Sequence, residues 1–401
     1  MRFGKLACAK LPHCAEAPLM APSPRVWILD PYHTGSHAHW AKGVQDMLLH
    51  AGWPCELHTL PGRHWKWRMH GAAANWALSL GKSTPAAKVP NVIVTTDMCD
   101  VAQLRGLLPP AWHDVKFVVY FHENQLTFPW SDDDRDVDMG RNNTYAYLNI
   151  TSALAADAAW FNSQHHLDVF LEAAAAFASR LPKPRLGDLS RHLRPKCSVL
   201  PIGLNRVRQR APTVWERTPT SPPVVLWNHR WSRDKGTDVF AAFAREAVAK
   251  RVPAQFVVLG ASFARMPDEW HELQRDLGES CLHWGYVANE EDYWKWLWRA
   301  DVLPVHPRQE YFGISVLEAM RCGTIPWVDE VHAYPETMPP GHRFVKPADW
   351  VSLLAHWPTA AWPLPPSAYI NHAETYEWDN LAATYLNALV KAWTAPPNPL
   401  L

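Results

Sequence analysis

The feature that most limits what this chain can fold into is a recurring unit: a short apolar run, a turn, and then a helical stretch. In the first part the runs lie at 25–30 (RVWILD), 91–96 (NVIVTT), 116–122 (KFVVYFH), 159–163 (AWFNS) and 198–203 (SVLPIG). In the second part they lie at 223–228 (PVVLWN), 254–260 (AQFVVLG), 281–287 (CLHWGYV), 301–306 (DVLPVH) and 324–329 (TIPWVD). Runs this short, separated by helical stretches, predict βαβ units and parallel strands buried on both faces. Pro212, Pro219, Pro222 and Pro223 interrupt any regular element near 206–223, which places a seam there. The expectation is an α/β chain of two doubly wound domains facing a cleft. Open sheets of this kind bind ligands at the carboxyl ends of their strands, so chemistry is sought in the loops after each run.

Composition narrows the function classes. Lys+Arg and Asp+Glu both number 39, which argues against a binder driven by overall positive charge but not against a local basic groove. An apolar content of 48% with 19% charged residues excludes global disorder. No window of uninterrupted apolar residues is long enough for a bilayer-spanning helix. Residues 1–24 carry Arg2, Lys5, Lys10 and Glu16 among prolines, and are expected to be a disordered extension rather than a secretory signal. The seven cysteines are scattered without a C-x-x-C pair, so neither a disulfide framework nor a zinc cage is expected, and a reducing cytoplasm is. The 23 tryptophans either fill core or provide stacking surface for sugars and bases.

Two segments of the second half carry the clearest chemistry. Residues 228–236 (NHRWSRDKG) follow its first run, and Arg230 and Lys235 fall on a βα loop at the strand's carboxyl end. Two cations there suit an anionic diphosphate, Arg through forked hydrogen bonds and Lys as a point charge. In residues 308–323 (RQEYFGISVLEAMRCG), Gly313 sits where a loop turns into a helix, whose unpaired amides and positive end suit phosphate or sugar hydroxyls. Glu310 before that helix and Glu318 within it are placed to accept hydroxyl hydrogen bonds. Each segment alone reads equally as solvated loop or helix charge.

Taken together, Arg-x4-Lys after the first strand and Glu-x7-Glu with Phe-Gly inside it resemble the retaining GT-B glycosyltransferases of family four. The resemblance implies two Rossmann-like domains, and a last helix that crosses back onto the N-terminal domain. That helix is carried over to 376–393, where Trp378, Leu381, Tyr385, Leu386 and Leu389 recur at helical spacing. The domains then comprise 25–210 plus 376–401 for the acceptor and 211–375 for the nucleotide sugar. The resemblance implies that Arg230 and Lys235 bind the donor diphosphate and that Glu310 and Glu318 bind the donor sugar and the ribose. It also implies that the amides around Phe312, Gly313, Ile314 and Ser315 touch sugar or phosphate.

The first half narrows the family. Residues 30–40 (DPYHTGSHAHW) give a strand and a turn with Gly35, Ser36 and His37, and 116–130 (KFVVYFHENQLTFPW) places His122, Glu123, Asn124 and Gln125 just past a strand. With HRW at 229–231, these segments are similar to the tRNA-queuosine alpha-mannosyltransferase family over most of 25–330, HENQ being the most distinctive marker. The family implies a cytosolic enzyme moving mannose from GDP-mannose to queuosine in the anticodon of tRNA(Asp), with Gly35, Ser36 and His37 on the donor side. By the same likeness His122 contacts the sugar at the reacting centre. Glu123, Asn124 and Gln125 are placed with the acceptor. One departure is Thr34, where the family has glycine; a Cβ there narrows the backbone's approach to a diphosphate.

A tRNA substrate asks for cations and stacking rings. Residues 61–70 (PGRHWKWRMH) interleave Arg63, Lys66 and Arg68 with Trp65 and Trp67, a pattern for phosphates and unstacked bases. Residues 180–210 hold nine Lys/Arg against one acid, Asp188. A metal bound by His33, His37, His39 and His122 is the less favoured alternative, because this fold needs no divalent ion; no metal and no cofactor are expected. Asp132, Asp133 and Asp134 match a D-x-D pattern but are expected to form a solvated acidic loop. Two other functions stay open from sequence: the same donor chemistry with a lipid, glycan or small-metabolite acceptor, and an RNA-binding protein with an inactive transferase fold.

Overall fold

The apolar runs become strands because a sheet covered on both faces removes runs this short from water. In a computed structural model that describes residues 23–130, 134–205, 222–260, 268–357 and 362–398, the first sheet contains β1 (Val26–His33), β2 (Cys55–Pro61), β3 (Val92–Thr96), β4 (Lys116–Phe121), β5 (Ala158–Phe161) and β6 (Cys197–Val199). Its order is β2-β1-β3-β4-β5-β6. The second sheet contains β7 (Val224–Trp227), β8 (Gln255–Leu259), β9 (Cys281–Gly285), β10 (Val302–Val305) and β11 (Ile325–Val328), ordered β11-β10-β7-β8-β9. Every recorded pairing between these strands is parallel. The expected extension falls mostly outside the described residues, as does the body of the proline-rich seam.

The strand absent from the sequence reading is β2. It is an edge strand whose side chains are only half buried or exposed, so its sequence CELHTLP shows no apolar run. By contrast β3 and β4 are central and bury nearly every side chain. The run at 198–203 also exceeds its strand: only Cys197–Val199 pair with β5, and the chain then leaves the sheet. Leu204 forms an isolated bridge with Glu377 instead. The first run, read as ending at Asp30, continues to His33 across an irregularity in register. Asp30 supports that extension, its carboxylate accepting from the Tyr32 amide (3.1 Å) and bonding His33 Nδ1 (2.7 Å).

The helix Trp378–Thr394 returns to the first sheet. Trp40 Nε1 donates to the Tyr385 hydroxyl (3.0 Å), which in turn donates to the Pro201 carbonyl (2.8 Å). The indole of Trp378 occupies the space where a Cβ on Gly43 or Gly203 would lie, so both positions are held open by glycine. One continuous apolar cluster therefore runs from Trp40 and Tyr120 through Trp378 and Tyr385 to Trp227 and Val302. The opposite face of the first sheet forms its own cluster around Phe117, Phe121, Phe161 and Phe170. Most tryptophans answer the packing reading: Trp40, Trp160, Trp227, Trp270, Trp327 and Trp350 are fully buried. Trp67 is the marked exception, at 65% exposure. No helix among the described residues is long and apolar enough to cross a membrane.

Candidate active site

The carboxyl ends of β1 and β4 face those of β7 and β10 across a cleft of about 520 Å³. That volume suits a drug-sized or nucleotide-sized ligand. On the first lobe the helix Gly35–His50 opens onto it with no side-chain cap and no acid in its first turn, leaving its amides unsatisfied toward the cleft. Gly35 has φ +51°, a left-handed conformation that glycine adopts without strain. Thr34, in contrast, is fully extended at φ −161° and needs no glycine. Its side chain lies over Gly62, where a Cβ would come within 2.5 Å of Thr34 Cβ and Cγ2. The departure at 34 is thus accommodated by a glycine at 62.

On the second lobe the expected donor residues converge. Lys235 Nζ donates to Glu310 Oε2 at 2.8 Å, joining the loop after β7 to the loop after β10. The other Glu310 oxygen accepts from the Gly313 amide at 3.0 Å, at the start of the helix Ile314–Arg321. Burial would raise the Glu310 carboxyl, but Lys235, His229 and the Phe312 amide outweigh it and hold the pKa below the ordinary value. Arg230 Nη2 pairs with Asp234 at 3.2 Å and stays about half exposed in the cleft. Gly236, at φ +76°, brings this loop against the His306 carbonyl, which a Cβ would overlap.

Some expected donor groups are already engaged elsewhere. Glu318 does not line the cleft; its Oε2 accepts from the Tyr293 hydroxyl at 2.7 Å, and burial raises its pKa against the influence of His39 and that bond. The Ser315 hydroxyl lies 2.7 Å from His229 Nδ1, so it serves an imidazole rather than standing open. Phe312 and Ile314 line the cleft beside Gly313.

The first lobe presents neutral groups. His122 follows β4, its amide donating to Asp97 Oδ1 (2.9 Å) and its carbonyl accepting from Asn162 Nδ2 (2.9 Å). Both its ring nitrogens are buried without a partner among the described residues. The ring packs 4.0 Å from that of His37, centroid to centroid. Burial and neighbouring histidines push His122 well below its usual pKa; burial, Arg230 and His33 push His37 down to about 3. The four histidines do not converge: His33 bonds Asp30 and His39 bonds the Gly203 carbonyl at 2.7 Å. Glu123 accepts from Gln125 Nε2 at 2.9 Å and faces Arg230 electrically; burial raises its pKa against that cation. Asn124 is buried and caps a turn, its Oδ1 accepting from the Leu126 and Thr127 amides, while the Thr127 hydroxyl meets Tyr311 of the other lobe at 2.9 Å. Asn124 thus fixes the turn through Oδ1 while its Nδ2 is buried with no partner among the described residues, and of the two residues Gln125 lines the cleft.

The basic-aromatic segment divides. Lys66 Nζ is 2.6 Å from both Asp134 and Asp136, and lies 5.4 Å from the Trp130 ring centroid and 5.7 Å from that of Trp65. Its charge is thus balanced by two carboxylates of the protein itself, which leaves less of it for an RNA phosphate than the sequence pattern implies. Asp134, expected in a solvated loop, is half of that clamp, while Asp132 and Asp133 lie outside the described residues. Trp65 packs against Trp130 and Tyr145 at the rim of the cleft. Arg63 and Trp67 remain exposed, and Arg68 is partly exposed with its Nε on the Pro61 carbonyl (3.2 Å). In the second basic stretch, Lys196 donates to the Leu154 and Ala156 carbonyls (2.6 and 2.8 Å), and Arg206, Arg208 and Arg210 lie outside the described residues.

Sequence reasoning missed His229, Asn228, Asp97 and Tyr311. His229 carried a signal in the HRW triplet, and Asn228 adjoined it. Asp97 and Tyr311 carried none, since their roles arise from packing between distant loops.

Comparisons agree with this geometry. Residues 25–204 match the family described as tRNA-queuosine alpha-mannosyltransferase N-terminal, and residues 222–356 match glycosyl transferases group 1. A tRNA-queuosine alpha-mannosyltransferase of Drosophila melanogaster is 29% identical over 322 residues, covering 79% of this chain and 82% of its own. Among solved structures, a sucrose-phosphate synthase from Thermosynechococcus elongatus superposes with a TM-score of 0.67 at 15% identity, covering 93% of this chain and all (100%) of its own. A UDP-forming alpha,alpha-trehalose-phosphate synthase from Burkholderia xenovorans gives 0.63 at 12% identity, covering 92% and 100%. These structures share the fold, two parallel sheets with a cleft between. The chain is a hexosyltransferase with the GT-B fold, and its first domain is similar to that of the tRNA-queuosine alpha-mannosyltransferases.

Proposed function

We propose that the protein transfers mannose from GDP-mannose to queuosine in the anticodon of tRNA(Asp), with retention at the anomeric carbon and without a metal ion. The observation that carries the transfer chemistry is the Lys235–Glu310 pair at 2.8 Å beneath an open helix start, with Arg230 beside it. That arrangement suits a sugar nucleotide whose diphosphate lies on the cations and whose hexose hydroxyls reach Glu310 and the amides near Gly313. The C1–O bond breaks with its electron pair on the β-phosphate oxygen, and Arg230 and Lys235 neutralise the charge that develops. Among the described residues the carboxylates lining the cleft, Glu123, Asp234 and Glu310, already bond Gln125, Arg230 and Lys235, so in this reading the acceptor hydroxyl attacks from the leaving-group face and its proton passes to the departing diphosphate.

His122 and His37, held neutral by burial, offer the sugar hydrogen bonds without competing with the cations for the diphosphate. Glu123 stands on the acceptor side of the cleft, with an oxygen beyond its bond to Gln125, and suits a hydroxyl-bearing acceptor ring. Support for an RNA acceptor comes from the exposed Trp67 with Arg63 and Arg68, where rings take unstacked bases and cations take phosphates. The test supplies GDP-mannose, and separately other nucleotide sugars, with queuosine-containing tRNA(Asp), and reads nucleosides by mass spectrometry. A hexose mass gain on queuosine with GDP-mannose is the expected result; no gain with any donor removes the acceptor assignment.

A further inference from the structure

His229 is a buried polar side chain of the cleft that the mechanism above leaves unused. Its backbone is fixed from two sides. The carbonyl accepts from Trp227 Nε1 at 3.0 Å, and it also lies against Gly260, whose Cβ would overlap it. The ring is 3% exposed, lines the cleft with Arg230 and Lys235, and bridges the two donor loops by placing Nδ1 2.7 Å from Ser315 Oγ. Ser315 is itself held, its carbonyl accepting from Asn228 Nδ2 at 2.8 Å. The opposite ring nitrogen, Nε2, is buried with no partner among the described residues. A buried imidazole nitrogen left without a partner costs free energy unless a ligand supplies one.

The state of that nitrogen follows from its surroundings. Burial, then Lys235, push the His229 pKa down to about 3, so the ring is neutral and carries one N–H. When the Ser315 hydroxyl donates to Nδ1, the ring proton sits on Nε2. The reverse tautomer would turn a lone pair toward an anion held by Arg230 and Lys235, which is repulsive. Diphosphate binding therefore selects Nε2–H.

We propose that His229 is a third donor to the leaving nucleoside diphosphate, a neutral Nε2–H whose tautomer is set by Ser315 as a positioning residue. His229 keeps its proton throughout: the C1–O electron pair goes to the phosphate oxygen, and the acceptor's proton goes to the released diphosphate. This rests on the nucleotide-sugar reading given above.

The test compares wild type with His229→Phe, Ser315→Ala and Ser315→Thr. It measures kcat and KM with GDP-mannose and queuosine tRNA, GDP affinity by calorimetry, and thermal unfolding. A hydrogen bond to a charged group lost on its own corresponds to about 10- to 100-fold. His229→Phe is expected to lose that much in kcat and to weaken GDP, with KM for tRNA unmoved. Ser315→Ala is expected to fall by a smaller factor in the same two quantities, and Ser315→Thr to restore them. If His229→Phe does not fold, the Ser315 pair decides alone. Wild-type kcat and GDP affinity in a folded His229→Phe overturn the assignment, as do wild-type values in Ser315→Ala when His229→Phe fails to fold. A wild-type protein that turns over no nucleotide sugar sinks the transferase reading and this inference with it.

Discussion

The two walls of the cleft use charge in opposite ways. On the donor wall, Lys235 and Glu310 pair at 2.8 Å, and Arg230 leans on Asp234 at the cleft edge. These groups come from loops separated by many residues, yet each loop sits at a strand's carboxyl end, so Arg230, Lys235 and Glu310 meet in the cleft while Glu318 turns away to Tyr293. On the first lobe's wall, the neutral His37 and His122 and the buried Asn162 line the cleft, and nearby Lys66 pairs with Asp134 and Asp136. The difference teaches that a cation motif keeps its reading when the strand end dictates its position. Interleaved Lys, Arg and Trp on a helix are instead sorted by what the neighbouring loop brings.

The largest effect that would break this contrast is on the donor wall. Lys235→Ala is expected to lower turnover by about 10²–10³, the usual cost of one preorganised contact to a developing anion. Measured kcat near wild type would show that the wall's charge does not serve the diphosphate. The acceptor floor is tested through Asp97, whose carboxyl burial, reinforced by Glu123, raises well above its ordinary 3.8. The native state then holds a proton that the unfolded chain releases as pH passes 3.8. Stability conferred by that proton is complete below 3.8 and is lost as pH rises toward the native pKa, at up to about 1.4 kcal/mol per pH unit. Asp97→Asn, which keeps an acceptor for the His122 amide, is expected to flatten that decline in denaturant titrations. An unchanged slope would count against a protonated floor.

Smaller effects sharpen the division within residues 61–70. Arg63→Ala and Arg68→Ala are each expected to weaken tRNA binding and reduce its salt slope by about 1, with hydrolysis of GDP-mannose unaffected. Equal salt slopes in wild type and variants would move the RNA off this rim. Lys66→Met is expected to leave the salt slope alone and to change stability only slightly, since its ion pairs are solvated. A lower salt slope in that variant would return Lys66 to the RNA.

Much of the fold was readable because parallel strands buried on both faces write themselves as apolar runs. The central β3, β4, β7 and β10 sit where those runs fall. β2 was not readable, since an edge strand with half-exposed side chains carries no such run. The ends of runs misled for a related reason: at 198–203 the apolar residues continue past the sheet to pack near the returning helix, so hydrophobicity marks burial rather than pairing. In the cleft, Arg230, Lys235, Glu310 and Gly313 were singled out by strand-end position and family resemblance, whereas Asp97 and Tyr311 depend on contacts across long sequence separations.

The amino-acid order alone determined two parallel sheets and the strand-end loops that carry Arg230 and Lys235, because periodicity and strand-end loops are local properties of the chain. Only the tertiary structure decided which charges stay open and which imidazoles are neutral. Those outcomes depend on which groups three-dimensional packing sets a few ångströms apart and shields from water: Asp134 and Asp136 on Lys66, Ser315 on His229, and His37 against His122.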